Sequence, residues 1–138
     1  MNTKSKYLFL FVLLASILAA CSAPAPIAVP ASVDPAEVAQ GFWDAMNAQN
    51  IDAAMAFVAD DVQCRGGCNF TGKDSFSAFM LTTMKMGKTE ISDLKVISED
   101  TITYTWELFN AAGSLSASGS NLKVQIKDGK IVLMEFPA

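Results

Sequence analysis

The first clear helical pattern of apolar residues begins at residue 34. The segment Asp34-Pro35-Ala36-Glu37 is typical of a helix start, because it offers an acid at the N-cap, proline at the first helical position and a glutamate suited to a capping box. Val38, Phe42 and Met46 follow at intervals of four residues and form an apolar stripe. This pattern predicts a first helix that ends near residues 47–50.

Two further helices and a short strand are predicted before residue 87. The spacing of apolar residues predicts a short helix over residues 51–59, closed by Asp60-Asp61, and a third helix over residues 73–86. Between these helices, residues 62–64 leave room only for a short strand, and Gly66-Gly67 indicates a turn. We interpret Asp60-Asp61 as a solvated helix end rather than as a catalytic pair.

After Gly87 the pattern changes to the two-residue alternation of β-strands. Residues 101–108 alternate between a polar set and an apolar set: Thr101, Thr103, Thr105 and Glu107 against Ile102, Tyr104, Trp106 and Leu108. A strand over residues 115–126 changes phase around Gly119-Ser120, which predicts a β-bulge, and Asp128-Gly129 predicts a hairpin into residues 131–136. The element order α-α-β-α-β-β-β-β predicts an α+β fold.

The amino-terminal segment has the pattern of an export signal. Lys4 and Lys6 precede an uncharged run over residues 7–20, which matches a signal-peptide core and falls short of the ~20 apolar residues that cross a bilayer. The sequence Leu18-Ala19-Ala20-Cys21-Ser22 resembles the lipobox of bacterial lipoproteins. An ordinary secretion signal is the alternative, but it needs a small residue where Leu18 stands.

The lipobox resemblance implies that the chain is cut before Cys21 and that diacylglycerol is attached to its thiol. We therefore expect residues 1–20 to be a lipoprotein signal peptide, residues 21–34 a lipidated, proline- and alanine-rich tether, and residues 35–138 one domain. The predicted location is the periplasmic or cell-surface side of a membrane, with the membrane as a partner through Cys21.

Charge and composition exclude several classes of function. Without the two lysines of residues 1–20 the formal charge falls from -4 to -6, and Arg65 is the one arginine, so nucleic acid is not expected as a partner. The sequence has no histidine, which excludes serine–histidine triads, histidine bases and most zinc sites. We expect neither a cofactor nor a metal.

Cys64 and Cys68 remain as an even pair once Cys21 is assigned to lipid. In an oxidising compartment such a pair predicts a disulfide, and a redox role is the alternative. Because the closed loop is very short, the chain-entropy contribution is only ~2 kcal/mol. We expect the bridge mainly to set the local shape of the chain.

Three segments together resemble a known superfamily: FWDAMNAQNIDAAMAFVADDV, TGKDSFSAFM and KDGKIVLMEF. Their order and spacing over residues 37–136 resemble the nuclear transport factor 2-like superfamily, in its SnoaL-like and ketosteroid isomerase-like branch. The resemblance implies a cone-shaped, curved, mixed or antiparallel sheet wrapped around three amino-terminal helices. A pocket is expected at the open end of the cone.

The same resemblance allows catalytic positions to be compared. Ketosteroid isomerase-like enzymes carry an aspartate base, a tyrosine and a protonated aspartate, and the matching positions here are Gly66, Phe42 and Leu122. None of these side chains moves a proton or stabilises an oxyanion. The aspartate–histidine pair of related cyclases is excluded by the lack of histidine.

The resemblance implies an inner face of apolar residues that forms either a plain core or a ligand pocket. The predicted pocket residues are Phe42, Met46, Phe79, Met80, Thr83, Tyr104, Trp106, Leu122, Val124, Met134 and Phe136. A pocket of this composition suits a small apolar molecule, so the leading hypothesis is a binding domain without catalysis.

Two alternatives stay open. An isomerase, dehydratase or hydrolase would use Tyr104, a weak catalytic candidate, with an unidentified carboxylate; Glu107 lies in the opposite strand phase and is expected to point away from the pocket. A protein-interaction module, such as a homodimer through the outer face of the sheet, would use a polar surface that includes Thr103 and Thr105 together with Ser116 and Ser118.

Overall fold

The structure, a computed structural model, describes residues 33–137. The predicted signal peptide, the lipidated Cys21 and most of the tether lie outside these residues. None of the helices in the described part of the chain combines the length and the hydropathy that a bilayer crossing requires.

Three helices and six strands make up the described chain. In chain order they are α1 (Pro35–Asn47), α2 (Ile51–Met55), β1 (Val58–Arg65), β2 (Phe70–Thr71), α3 (Lys73–Met86), β3 (Lys88–Ser98), β4 (Thr101–Phe109), β5 (Leu115–Lys127) and β6 (Lys130–Glu135). The strands form one sheet in the order β2-β1-β6-β5-β4-β3. Only β1 and β6 pair in parallel, so the predicted mixed sheet and α+β class are confirmed.

Helix α1 begins as predicted. The carboxylate of Asp34 accepts a hydrogen bond from the Ala36 amide at 2.9 Å, and Pro35 occupies the first turn. The stripe that includes Val38, Phe42 and Met46 is buried against the sheet. Burying a stripe of this kind supplies most of the stability of a short helix.

The end of α2 and the start of β1 differ from the prediction. Helix α2 ends at Met55, and β1 begins at Val58, so Asp60-Asp61 lie in a strand and do not close a helix. The chain is extended from Val58 onward because it pairs with the distant strand β6. Val58 is paired with Ile131, and the Ile131 amide donates to the Phe57 carbonyl at 2.8 Å.

Strand β2 was not predicted. It has only two residues, Phe70 and Thr71, which pair with Cys64 and Gln63 of β1. The Gly72 amide then donates to the Val62 carbonyl at 2.8 Å, and α3 follows at once.

The predicted bulge in β5 is confirmed. Tyr104 pairs with Leu122 and Trp106 with Gly119, so the register between β4 and β5 shifts by one residue between these pairs. Asn121, with φ of 58°, lies in the shifted segment. A bulge of this kind bends a strand and increases its twist, which helps the sheet to curve around α1.

The side chain of Asn47 joins the end of α1 to the edge strand β3. Its Oδ1 accepts a hydrogen bond from the Thr89 amide at 2.9 Å, and its Nδ2 donates to the Thr89 carbonyl at 2.7 Å. These two bonds satisfy main-chain groups that a neighbouring strand would otherwise satisfy. Helix α1 is thereby held across the concave face of the sheet.

Replacing Asn47 tests this contact. We expect Asn47→Ala to lower the free energy of unfolding by about 2 kcal/mol, because two hydrogen bonds of about 1 kcal/mol each are lost. Gln40 also lies on α1, but its amide bonds only the exposed Asp44, so Gln40→Ala should cost less than about 0.5 kcal/mol. Urea denaturation measures both values, and equal values for the two variants would contradict the role given to Asn47.

Candidate ligand-binding cavity

A cavity lies between α3 and the concave face of the sheet. Its volume is about 200 Å³. Its lining residues are Trp43, Phe79, Met80, Thr82, Thr83, Met86, Thr89, Trp106, Leu108, Ala117 and Phe136. Within the described part of the chain, the lining therefore holds hydroxyl and indole groups but no acidic or basic side chain.

Three neighbouring strands form the floor of the cavity. Leu108 of β4 pairs with Thr89 of β3 on one side and with Ala117 of β5 on the other. Directly paired residues place their side chains on the same face of a sheet, so these three side chains form one row. The small side chain of Ala117 leaves space above the row.

Trp106 and Phe136 form one wall. Their rings meet edge to face with centroids 6.0 Å apart, and Phe79 packs on Phe136 at 6.2 Å. Trp106 lies against Gly119, where a Cβ atom would come within 2.7 Å of the indole nitrogen. Glycine at this position is what allows the indole ring to lie so close to β5.

The disulfide supports the same wall through the main chain. The predicted bridge between Cys64 and Cys68 is confirmed, with Cα atoms 5.5 Å apart and both residues buried. The loop that it closes includes Arg65, whose carbonyl accepts a hydrogen bond from the Phe136 amide at 2.9 Å. The bridged loop therefore fixes the main chain of a cavity residue.

The predicted pocket residues are divided between the cavity and the core. Five of them line the cavity: Phe79, Met80, Thr83, Trp106 and Phe136. The other six are buried in the core, at most 3% exposed: Phe42, Met46, Tyr104, Leu122, Val124 and Met134. As ligand contacts, all of them stay a prediction.

Six lining residues were not in the predicted set: Trp43, Thr82, Met86, Thr89, Leu108 and Ala117. One of them had a usable signal, because Leu108 shares the strand phase of Trp106. For Thr89 and Ala117 the sequence gives no such signal, since their inward direction depends on their pairing with Leu108.

Tyr104 faces the core rather than the cavity. Its hydroxyl oxygen accepts a hydrogen bond from the Trp43 indole at 2.8 Å, and the residue is 2% exposed. Burial raises the pKa of Tyr104 well above its usual range, and the bond from Trp43 offsets this only in part. A phenol in this state is a weaker acid than one in water.

The three positions matched to isomerase groups differ in burial. Phe42 and Leu122 are fully buried in the core, whereas Gly66 is exposed just after β1. Gly66 has a φ of 78°, and a Cβ atom there would overlap the Phe136 carbonyl. The backbone geometry therefore requires glycine at residue 66, the position that the resemblance matches to the isomerase base.

The outer face of the sheet is polar and partly charged. Thr103 is paired with Lys123, and Lys123 forms an ion pair of 3.0 Å with Glu135 on the next strand. Ser118 is exposed on the same face. A homodimer through this face stays a prediction.

A comparison with known families is decisive for the class of this domain. The sequence profile of the SnoaL-like domain matches residues 39–134. The chain belongs to the SnoaL-like domain family. No curated protein sequence matches the chain.

Solved structures share the nuclear transport factor 2-like cone fold of this SnoaL-like domain. The Δ5-3-ketosteroid isomerase from Mycobacterium sp. has 18% identity and a TM-score of 0.62, with 77% of this chain and 94% of that chain covered. A Mycobacterium tuberculosis protein in complex with estradiol-17β-hemisuccinate has 19% identity and a TM-score of 0.61, with 76% and 94% covered. A protein described as NTF2-like from Cytophaga hutchinsonii has 14% identity and a TM-score of 0.61, with 75% and 88% covered.

The bond between Trp43 and Tyr104 gives a prediction about stability. Tyr104→Phe leaves the Trp43 N–H buried without a partner, so we expect the free energy of unfolding to fall by about 1–3 kcal/mol. In the double variant Trp43→Phe/Tyr104→Phe, the loss should be smaller than the sum of the two single losses. Urea denaturation of the four proteins measures this coupling, and additive losses would contradict it.

Proposed function

We propose that this SnoaL-like domain binds a small apolar molecule, does so without catalysis, and is held by lipid on Cys21 to the outer side of a bacterial membrane. The observation that carries the binding proposal is the cavity of about 200 Å³ between α3 and the sheet. It exceeds the roughly 150 Å³ that suffices to bind benzene in an apolar protein cavity.

The composition of the lining supports an uncharged ligand. An ionised group placed there would lose its hydration with no opposite charge beside it, which costs far more than the burial of an apolar group gains. Aromatic and methionine side chains, by contrast, adapt to flat or flexible apolar molecules. The Mycobacterium tuberculosis protein in complex with estradiol-17β-hemisuccinate is a precedent within this fold for an apolar ring system as a ligand, although the succinate half-ester of that compound adds a carboxyl group.

The absence of catalysis is supported by the position of Tyr104. This residue, the one catalytic candidate from the sequence, lies outside the cavity lining, and its hydroxyl already accepts a bond from Trp43. Its raised pKa also makes it a poor proton donor. We therefore propose that Tyr104 has a structural role.

Export and anchoring are supported by two independent features. The amino-terminal pattern ends in the lipobox-like Leu18-Ala19-Ala20-Cys21-Ser22, and the Cys64–Cys68 disulfide is compatible with an oxidising compartment. Two or more acyl chains, at ~0.8 kcal/mol for each buried methylene group, would hold the domain at the membrane.

Filling the cavity tests the binding proposal. We expect toluene, used as an apolar probe at up to millimolar concentration, to raise the melting temperature of the protein. In Ala117→Leu the larger side chain occupies the space above the cavity floor, so the affinity for toluene measured by calorimetry should fall at least about tenfold, or 1.4 kcal/mol.

The matched control is Ser118→Leu, which adds a leucine to the outer face of the same strand. This variant should bind toluene as the unaltered protein does. If toluene neither shifts the melting temperature nor gives a heat of binding with the unaltered protein, the proposal of a ligand-binding cavity is wrong.

The anchor is tested by replacing the lipidated cysteine. We expect the unaltered protein to incorporate radiolabelled palmitate in growing cells, and Cys21→Ser to incorporate none because no thiol is left at this position to carry an acyl chain. The control is the double variant Cys64→Ser/Cys68→Ser, which removes the disulfide but should keep the label. A Cys21→Ser variant that is labelled as strongly as the unaltered protein would contradict lipid attachment at this residue.

A further inference from the structure

Thr89 brings a hydroxyl without a partner to the cavity. The residue is 4% exposed, lines the cavity, and shares the inner face of the sheet with its pair Leu108. Within residues 33–137 the hydroxyl forms no hydrogen bond, and Asn47 binds only the main chain of Thr89. A threonine hydroxyl offers one donor and two acceptor sites.

The other two threonines of the lining are already bonded. The Thr82 hydroxyl donates to the Ala78 carbonyl at 3.2 Å, and the Thr83 hydroxyl donates to the Phe79 carbonyl at 3.4 Å. Both use their proton within α3, as threonine often does in helices. Among the three threonines of the lining, Thr89 is therefore the one whose hydroxyl proton remains free to bond a ligand.

The indole N–H of Trp106 is not available to a ligand. It is buried against Gly119 of β5 and has no partner among the residues that the structure describes. Trp106 therefore contributes its ring to the cavity wall, and the hydroxyl of Thr89 is the polar group on which recognition depends.

The position of Thr89 is fixed before any ligand arrives. Both main-chain groups of Thr89 are bonded by Asn47, and its strand neighbour Leu108 is 3% exposed. A group held in place in this way loses little conformational freedom on binding, so more of the hydrogen-bond energy appears as affinity.

From the unbonded hydroxyl of Thr89 and the aromatic lining we infer that the cavity selects an uncharged aromatic molecule that carries a hydroxyl group. We infer that Thr89 hydrogen-bonds this hydroxyl. The inference rests on the proposed function, that the cavity takes a ligand at all. The edges and faces of Phe79, Trp106 and Phe136 favour an aromatic ring. A volume of about 200 Å³ lies below the roughly 300 Å³ at which drug-sized ligand pockets begin, so the ligand has one ring or two fused rings.

Toluene and p-cresol form a suitable pair of probes, because they differ only by one phenolic hydroxyl. Calorimetry on the purified full chain, with protein-free buffer of the same detergent content as the blank, gives both affinities. We expect p-cresol to bind about twofold to tenfold more tightly than toluene, which corresponds to the net gain of one buried hydrogen bond.

Thr89→Val keeps the shape of the side chain and removes the hydroxyl. In this variant the phenolic group would be buried without Thr89, so p-cresol should bind no more tightly than toluene. The matched control is Thr83→Val, which removes a cavity hydroxyl already bonded within α3 and should keep the preference for p-cresol. Thr89→Ser retains the hydroxyl and should keep the preference as well.

Unchanged toluene affinity in Thr89→Val shows that the cavity is still intact. If toluene binds but p-cresol has no advantage, or if Thr89→Val keeps the advantage, the inference about Thr89 is wrong while the binding cavity stands. If neither probe binds the unaltered protein, the proposed function itself fails. If Thr89→Val no longer binds toluene, the comparison is made with Thr89→Ser instead. Loss of the preference for p-cresol over toluene in Thr89→Ser would then overturn the inference.

Discussion

The contact between Asn47 and the main chain of Thr89 is the constraint on which the rest of this domain depends. Strand β3 is at the edge of the sheet, and an edge strand has main-chain groups that no neighbouring strand satisfies. One amide side chain at the end of α1 supplies both a donor and an acceptor. Together with the bond from Trp43 to Tyr104, this contact fixes the direction and depth of α1 on the sheet.

The placement of α1 decides which part of the concave face is filled. Phe42 and Met46 of α1 pack over Leu122 and Val124 and form a core with them. Trp43 of the same helix reaches the cavity lining, while Thr89 forms part of its floor. The two hydrogen bonds of Asn47 therefore connect the helix that carries Trp43 with the strand that carries Thr89.

Most of the fold was predictable because its elements have clear periods. The starts of α1 and α3, the alternation in β4 and the bulge in β5 all appear in the sequence, and the disulfide follows from the pairing of two cysteines. The start of β1 was not predictable, because Val58 and Val62 are four residues apart and fit a helix as well as a strand. The parallel pairing with β6 favours the strand, and it joins residues 70 or more positions apart.

The cavity was only partly predictable, for a reason of geometry. Alternation tells which face of β4 is buried, but it does not tell how far along the strand α1 extends. The pair Ile102 and Val124 belongs to the closed core, whereas Leu108 and Ala117 line the cavity. Which part of a strand faces the core and which part faces a cavity depends on how the helices pack on the sheet, and no local sequence pattern predicts it.

The close approach of Gly66 to the carbonyl of Phe136 has a consequence for how this domain can evolve. Any side chain at Gly66 would collide with the main chain of Phe136 just after β6, so a single change to aspartate there would damage the fold before it offered a base. An acidic group could be placed at this position only after the end of β6 had moved. For a chain with this backbone, the gain of a base at residue 66 is therefore not a one-step change.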